Sequence, residues 1–424
     1  MPLRAGLFAS LCLALGLLSL AEPPKAKQVP YAERRARLQK ALGAGLALVP
    51  AAPASKEFRQ DNDFYYLTGG DWPDAVLALT EDGAWLFHGE PHDAFEPIAF
   101  LDPGPAGFSA VLPRARLGLA VGRYETDLRL MVAAEEYYSA PNVPGKPRNF
   151  MQPFVRTGER QRFARNLRRE FPKARVKSLQ NDVSRLRLVK DAGEIELLER
   201  AAKVTGDALS EAIARAKPGM SEHEFQRLVE QGYLDRGAEW IAFPTIVGSG
   251  RNGTVIHYTE NRGKLGENEL VVCDTGAEIE HYASDVTRTF PASGKFTKRQ
   301  REVYEAVLAA QLAGIAAIRP GETLLGIDSV ARRVLEDRGF PGKMPHYTCH
   351  WVGLAVHDAG DYNSKLLPGM VLTVEPGIYL EDEGIGVRIE DVLLVTEDGA
   401  VNLTGWIPKT IEDLEVLAGS KAAK

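Results

Sequence analysis

The sequence predicts an α+β protein in two parts: a smaller mixed α/β domain, then a larger α+β domain made of two related halves. Three observations predict it. The chain has 424 residues, more than the ~100–200 of one ordinary domain. Short apolar runs bounded by turn residues alternate, in the second part, with helices that carry capping signals. The second part also repeats itself at a long, nearly constant offset.

The elements follow in order. Arg4 precedes an apolar run from Ala5 that closes on Ser19-Leu20-Ala21, ahead of Glu22-Pro23-Pro24. This is the pattern of a secretory signal cleaved after Ala21. An uncleaved anchor helix is the alternative, but the run is short for a bilayer span of ~20 residues. Residues 1–21 are therefore read as a signal peptide, and the mature protein as exported, periplasmic or secreted, without stable membrane association.

From Tyr31 onward, residues 46–49, 75–79 and 84–87 read as strands, the last two joined by Glu81-Asp82-Gly83 as a hairpin. Pro/Gly-rich loops are expected at residues 102–107 and 139–153, and no dense set of metal-ligand types occurs in this part. Composition turns charged at residues 183–191, and Ile195, Leu198, Ala201, Ala202, Leu209 and Ile213 then recur with helical spacing. The boundary is placed there, giving domains at residues 22–185 and 186–424.

Beyond it, Ser221 with Glu224 and Thr297 with Gln300 form capping boxes before two further helices. Strands are expected at residues 269–273, 281–290, 370–374 and 387–395, with antiparallel pairing. Lys217-Pro218-Gly219 and Asp235-Arg236-Gly237 are echoed by Arg319-Pro320-Gly321 and Asp337-Arg338-Gly339. Asp274-Thr275-Gly276 is echoed by Glu375-Pro376-Gly377, and each acid is followed downstream by another, Asp285 and Glu390. Each half thus offers two carboxylates to one central site.

The overall balance is ordinary, with 45% hydrophobic and 25% charged residues, and a net charge of −6 leaves no basic footprint for nucleic acid. Of three cysteines, Cys12 lies in the signal segment, and Cys273 and Cys349 are read as packing residues rather than as a disulfide framework or soft metal ligands.

Chemistry concentrates in Asp274, Asp285, His350, Glu375 and Glu390. Four carboxylates and one imidazole would repel one another if buried without cations, whereas two divalent ions would bind them. The gap of Gly276 to Glu280 is about the length of a loop that folds Asp274 and Asp285 into one hairpin. Strand periodicity puts Arg388 and Glu390 on one face, where the arginine can orient a ligand carboxylate. His346, His350 and His357 cluster around Trp351; one can ligate while others donate to an oxyanion, and His257 is a fourth candidate. His88, His92, His223 and His281 are left as surface or packing residues.

With these residues assembled, the chain resembles the pita-bread metallopeptidases, most closely the Xaa-Pro aminopeptidases, with prolidases next. The motifs are residues 58–69 in the first part and, in the second, residues 257–261, 282–290, 374–379 and 386–391. The resemblance implies a pita-bread catalytic domain with pseudo-two-fold halves and two divalent metal ions, manganese being the usual one. It implies that Asp274 binds one metal, Asp285 and Glu390 bridge the pair, and His350 and Glu375 complete the other. It further implies hydrolysis of the bond between an N-terminal residue and a following proline, with a prolidase as the alternative. Glu375 would shuttle the proton, His257 and His357 would stabilise the intermediate, and His346 and Arg388 would complete the catalytic set. Asp63 and Tyr379 are the substrate-contact expectations, Asp63 as an acid that can approach a neighbouring subunit's site in a homo-oligomer. Only nine residues, 378–386, separate Gly377 from Val387, a loop that is longer in some relatives.

Overall fold

The computed structural model describes residues 30–42, 45–55, 58–81, 83–88, 110–113, 128–130, 157–173 and 176–419. The expected signal peptide and the two Pro/Gly-rich loops lie outside these residues. No helix among the described residues is long and apolar enough to cross a membrane.

The first part contains α1 (Tyr31–Leu42), β1 (Leu46–Pro50), α2 (Asn62–Thr68), β2 (Val76–Thr80), β3 (Gly83–His88), β4 (Ala110–Pro113), β5 (Leu128–Leu130), α3 (Thr157–Glu170), β6 (Val176–Ser178) and α4 (Gln180–Leu188). Its strands form one mixed sheet in the order β4-β3-β2-β1-β5-β6. Strands β1 and β2 are buried at every position, which is why they read as unbroken apolar runs rather than as alternating ones. Helix α2 carries the first-part motif. Asp61 caps it by accepting from the Asp63 and Phe64 amides, and Gly69, at φ 67°, ends it. Leu38, Phe64 and Tyr66 belong to the same apolar cluster as Leu197, Leu209 and Val286, so the two parts share a core.

The second part contains α5 (Ala192–Arg215), α6 (Glu222–Asp235), β7 (Trp240–Ile241), β8 (Ile246–Ser249), β9 (Leu270–Thr275), β10 (Ala277–Ile279), β11 (Tyr282–Ala283), β12 (Val286–Pro291), α7 (Lys298–Ala317), α8 (Leu324–Asp337), β13 (Val371–Val374), β14 (Gly377–Leu380), β15 (Ile385–Arg388), β16 (Asp391–Val395), β17 (Ala400–Asn402) and α9 (Ile411–Gly419). Both expected capping boxes form, and Asp191 with Glu194 makes a third at the start of α5. The repeat is structural. Helices α6 and α8 begin at residues 222 and 324, and the glycines of the paired motifs share one backbone state, Gly219 and Gly321 at φ 86° and 89°, Gly237 and Gly339 at 82° and 88°. In this left-handed region a side chain would be strained, so the same turn closes each helix pair.

Two expected strands are each broken in two. Residues 281–290 divide into β11 and β12, which leaves Asp285 at the break; residues 387–395 fall across β15 and β16, which leaves Glu390 at the break. Nor is the link from Asp274 to Asp285 a simple loop. β10 and β11 form a second hairpin inside it, and β9 pairs with β12 only beyond it, with Thr287 opposite Asp274. The glycine after β9 permits this, because a Cβ on Gly276 would lie 1.9 Å from the Ser284 carbonyl oxygen.

A buried ion network joins the parts and includes Asp63. That residue is 2% exposed, and its oxygens accept from Arg187 Nη1 at 2.7 Å and Arg160 Nη2 at 2.9 Å. These two arginines, placed first in its surroundings by burial and charge, hold the Asp63 carboxyl below the usual carboxylate range against the opposing effect of burial itself. Arg187 also pairs with Asp358, which takes Lys190 Nζ at 3.2 Å. Asp63 is therefore a bracing residue within its own chain. Replacing Arg187 with Met would leave two buried carboxylates with one cation each, Asp63 with Arg160 and Asp358 with Lys190, and the urea midpoint is expected to fall by the equivalent of about 3 kcal/mol. An unchanged midpoint would show that the network carries no stability.

Candidate metal centre

The centre is assembled from both halves at the ends and breaks of strands. Asp274 lies on β9, Asp285 between β11 and β12, Glu375 directly after β13, and Glu390 between β15 and β16. His350 comes from an extended stretch that runs antiparallel to β13. The Val352 amide donates to the Val371 carbonyl (3.1 Å), Thr373 to His350 (2.9 Å) and Glu375 to Thr348 (2.7 Å). This ladder sets His350 and Glu375 side by side. His350 Nε2 lies 3.3 Å from Asp285 Oδ2, 3.3 Å from Glu375 Oε1 and 3.8 Å from Glu390 Oε1.

The opposite ring nitrogen fixes the tautomer. His350 Nδ1 lies 3.1 Å from the Trp351 carbonyl, so it carries the proton and Nε2 presents a lone pair to the acids. On the far side, Asp274 Oδ2 accepts from Arg388 Nη2 at 2.7 Å. Arg388 also donates to the Tyr379 hydroxyl (2.8 Å), and that hydroxyl donates to His346 Nε2 (2.9 Å), whose Nδ1 donates to the Tyr347 carbonyl (2.9 Å). His357 stacks on His350 with ring centroids 3.8 Å apart, and His257 is exposed, on the loop after the turn Gly250–Thr254. These contacts join the expected site residues apart from Asp63 and His257, and the carbonyl of Ile256, next to His257, accepts from Arg388 Nη2 at 3.4 Å.

Thr287 was not foreseen. Its hydroxyl donates to Glu390 Oε2 at 2.7 Å and accepts from Arg388 Nε at 3.2 Å, so Arg388 and Glu390 share a partner although the strand between them breaks. The signal was present in Asp285-Val286-Thr287-Arg288-Thr289, where alternation turns both threonines to one side. Cys273 and Cys349 are buried free thiols in the apolar clusters, as packing residues would be.

The electrostatics describe a centre short of positive charge. Burial, then Asp274, raises the Asp285 carboxyl well above the ordinary range; burial, then Glu390, does so for Glu375; burial, then Asp285, for Glu390. The surrounding imidazoles shift the other way. Burial, then Arg388, brings His346 down to about 3 and also lowers His257, and burial, then His350, lowers His357. These rings stay neutral at pH 7 and add no charge to the acids. Three buried carboxylate oxygens, Asp274 Oδ1, Asp285 Oδ1 and Glu390 Oε1, have no hydrogen-bond partner, which is costly unless a cation takes them. One ligand atom each from Asp285, His350 and Glu390 lies within 4.8 Å of the others. Hard oxygen donors with one imidazole are the chemistry of a divalent cation, and the residues fit one.

Comparison with known proteins agrees. The family model described as aminopeptidase P, N-terminal domain, matches residues 31–96, and the model for metallopeptidase family M24 matches residues 196–397. The Xaa-Pro aminopeptidase of Escherichia coli (strain K12) is 32% identical, over 91% of this chain and 96% of its own length. The chain belongs to metallopeptidase family M24. Within this family it is also similar to the Xaa-Pro dipeptidase of Pyrococcus furiosus, 39% identical but over only 54% of the chain and 66% of that protein. Among solved structures, aminopeptidase P from E. coli with the inhibitor Pro-Leu superposes with a TM-score of 0.77 at 29% identity, over 92% of this chain and 98% of that one. The M24 fold places the centre where the two halves of the repeat meet.

Proposed function

We propose that this M24 metallopeptidase is an aminopeptidase that hydrolyses the bond between an N-terminal residue and a following proline. The observation that carries the hydrolytic reading is the set of three buried carboxylate oxygens without a hydrogen-bond partner, on Asp274, Asp285 and Glu390, in a centre where Asp285 and Glu390 face His350 Nε2. The preference over a prolidase rests on similarity that extends through both parts for the aminopeptidase relative and through only about half the chain for the dipeptidase.

Two divalent ions are proposed: Asp285, His350, Glu375 and Glu390 would hold one, and Asp274 with Asp285 and Glu390 would hold the other. Manganese is the proposed metal, because the donors are mostly hard oxygens. Bound there, such ions supply Lewis-acid polarisation of the scissile carbonyl and a more acidic attacking water. The rest falls to the chain's own residues. Glu375, raised in pKa and directly beside His350, accepts the proton of the water and delivers it to the proline nitrogen. That nitrogen has no hydrogen of its own and must be protonated to leave as an amine. Neutral His257 and His357 donate to the developing oxyanion. Arg388 orients Asp274 through its hydrogen bond to Oδ2, and Tyr379 joins it to His346.

With manganese, Xaa-Pro-Yaa tripeptides are expected to be cleaved with a kcat/KM at least about tenfold above that of Xaa-Pro dipeptides, equal to about 1.4 kcal/mol of transition-state binding. Turnover of dipeptides alone would move the assignment to prolidase. Export with cleavage after Ala21 is also proposed, on Arg4 and the apolar run behind it, and the N-terminal sequence of protein recovered outside the cytoplasm tests it. A homo-oligomer is proposed on the family resemblance, and sedimentation equilibrium reads it directly.

A further inference from the structure

The proposed chemistry requires His257 and His346 to be held in place, yet both lie on irregular segments rather than on strands or helices. What fixes these segments is the second helix of each half. Glu222, the first residue of α6, is fully buried. Its Oε1 accepts from the Ser249 amide (2.8 Å) and Asn252 Nδ2 (2.9 Å), and its Oε2 accepts from the Gly263 amide (2.6 Å). A side chain at Gly263 would block this, since a Cβ there would lie 2.7 Å from Glu222 Oε1. One carboxylate thereby ties both ends of the segment on which His257 is carried. Further along α6, Gln226 Oε1 accepts from Asn261 Nδ2 at 2.9 Å.

The other half repeats the device with different side chains. Asp328 stands at the position of α8 that corresponds to Gln226 of α6. Its Oδ1 accepts from the Thr348 amide (2.8 Å) and hydroxyl (2.9 Å), and its Oδ2 accepts from Arg332 Nε at 2.7 Å. Arg332 in turn donates to the carbonyls of Met344 (2.8 Å) and His346. The residues on both sides of His346 are thus bound to one helical turn, and the Thr348 carbonyl accepts from the Glu375 amide.

We infer that Glu222 and Asp328 are positioning residues for the reaction, each acting through the histidine of its own half: Glu222 through His257, Asp328 through His346. This rests on the function proposed above. A buried carboxylate that gathers several N–H and O–H donors from one loop fixes that loop more tightly than the loop's own backbone can. A displacement of about 1 Å at a catalytic group costs about 10²-fold in rate. Because His257 donates to charge that develops during the reaction, and His346 holds the Tyr379–Arg388 link to Asp274, the loss should appear in kcat rather than in KM.

Double-mutant cycles test it. Glu222→Ala and Asp328→Ala are each expected to lower kcat about a hundredfold, with KM within about threefold and bound metal unchanged. In the His346→Ala background, Asp328→Ala should cost little more, within about threefold, while Glu222→Ala should retain most of its effect. The pattern should reverse in the His257→Ala background. If an alanine variant fails to fold, Asp328→Asn and Glu222→Gln, which keep the volume, enter the same cycles. Matched pairs that couple no more strongly than crossed pairs would overturn the inference, as would losses that track bound metal. A wild-type protein that cleaves no Xaa-Pro peptide would instead sink the proposed function, and the two failures cannot be confused.

Discussion

Glu375→Gln is expected to lower kcat for an Xaa-Pro-Yaa peptide by about 10²–10⁴-fold, the usual contribution of a positioned general acid–base group. The substitution keeps the volume and one acceptor oxygen but removes the site that takes and returns a proton. Glu375 shares its electrostatic environment with Asp285 and Glu390. Its carboxyl is pushed well above the ordinary range, first by burial and then by Glu390, while the imidazoles around it are pushed down. Once bound cations favour the ionised forms, Glu375 is a carboxylate beside His350 placed to take a proton, while the surrounding histidines stay neutral. The amide of Gln also removes one anionic ligand beside His350, so bound metal must be measured with the kinetics. Asp285 and Glu390 remain to hold a cation with His350, and KM is expected to change far less than kcat. A variant that keeps its metal and retains more than about a tenth of wild-type kcat would remove Glu375 from the proton-transfer role.

The ligand set was legible in the sequence because acids at the ends of apolar runs need a partner, and because the repeat arranged four of them into two pairs. The turn motifs gave the repeat its frame, and glycine at a left-handed φ leaves little alternative at those four positions. The breaks were not legible. Residues 281–290 and 387–395 have continuous strand propensity, and what interrupts them is tertiary. Gly276 meets Ser284 backbone to backbone, and the Glu390 amide donates to the Thr287 carbonyl of the opposite half. Those two breaks hold the two acids expected to bridge the metals, so the irregular positions are the functional ones. The bracing role of Asp63 was not legible for a related reason. Its motif is local, but its partners Arg160 and Arg187 lie 97 and 124 residues away, and no local pattern announces them.

Stripping the metal should make stability depend on pH in the sense opposite to ordinary acid denaturation. In the metal-free fold, Asp285, Glu375 and Glu390 all have carboxyls raised above their unfolded values of about 4. From about pH 4 upward the native state therefore binds more protons than the unfolded chain. The unfolding free energy then falls as pH rises through that window, and the stability these protonated acids give at low pH is lost as they are forced to ionise. Cations remove the penalty by favouring the ionised forms, and binding them releases the protons. At a free metal concentration about a hundredfold above Kd, linkage adds about 2.7 kcal/mol to the loaded state. Calorimetric scans of chelated and manganese-loaded protein at pH 5 and pH 8 should thus show a gap in Tm that widens with pH. Manganese titrations near pH 6 in two buffers of different ionisation heat should show proton release. A gap that stays constant would mean that the acids are not strained in the metal-free fold. Proton release without a widening gap would place the raised acids outside the cooperative unit that unfolds, since their titration would then touch metal affinity but not the stability of the shared core.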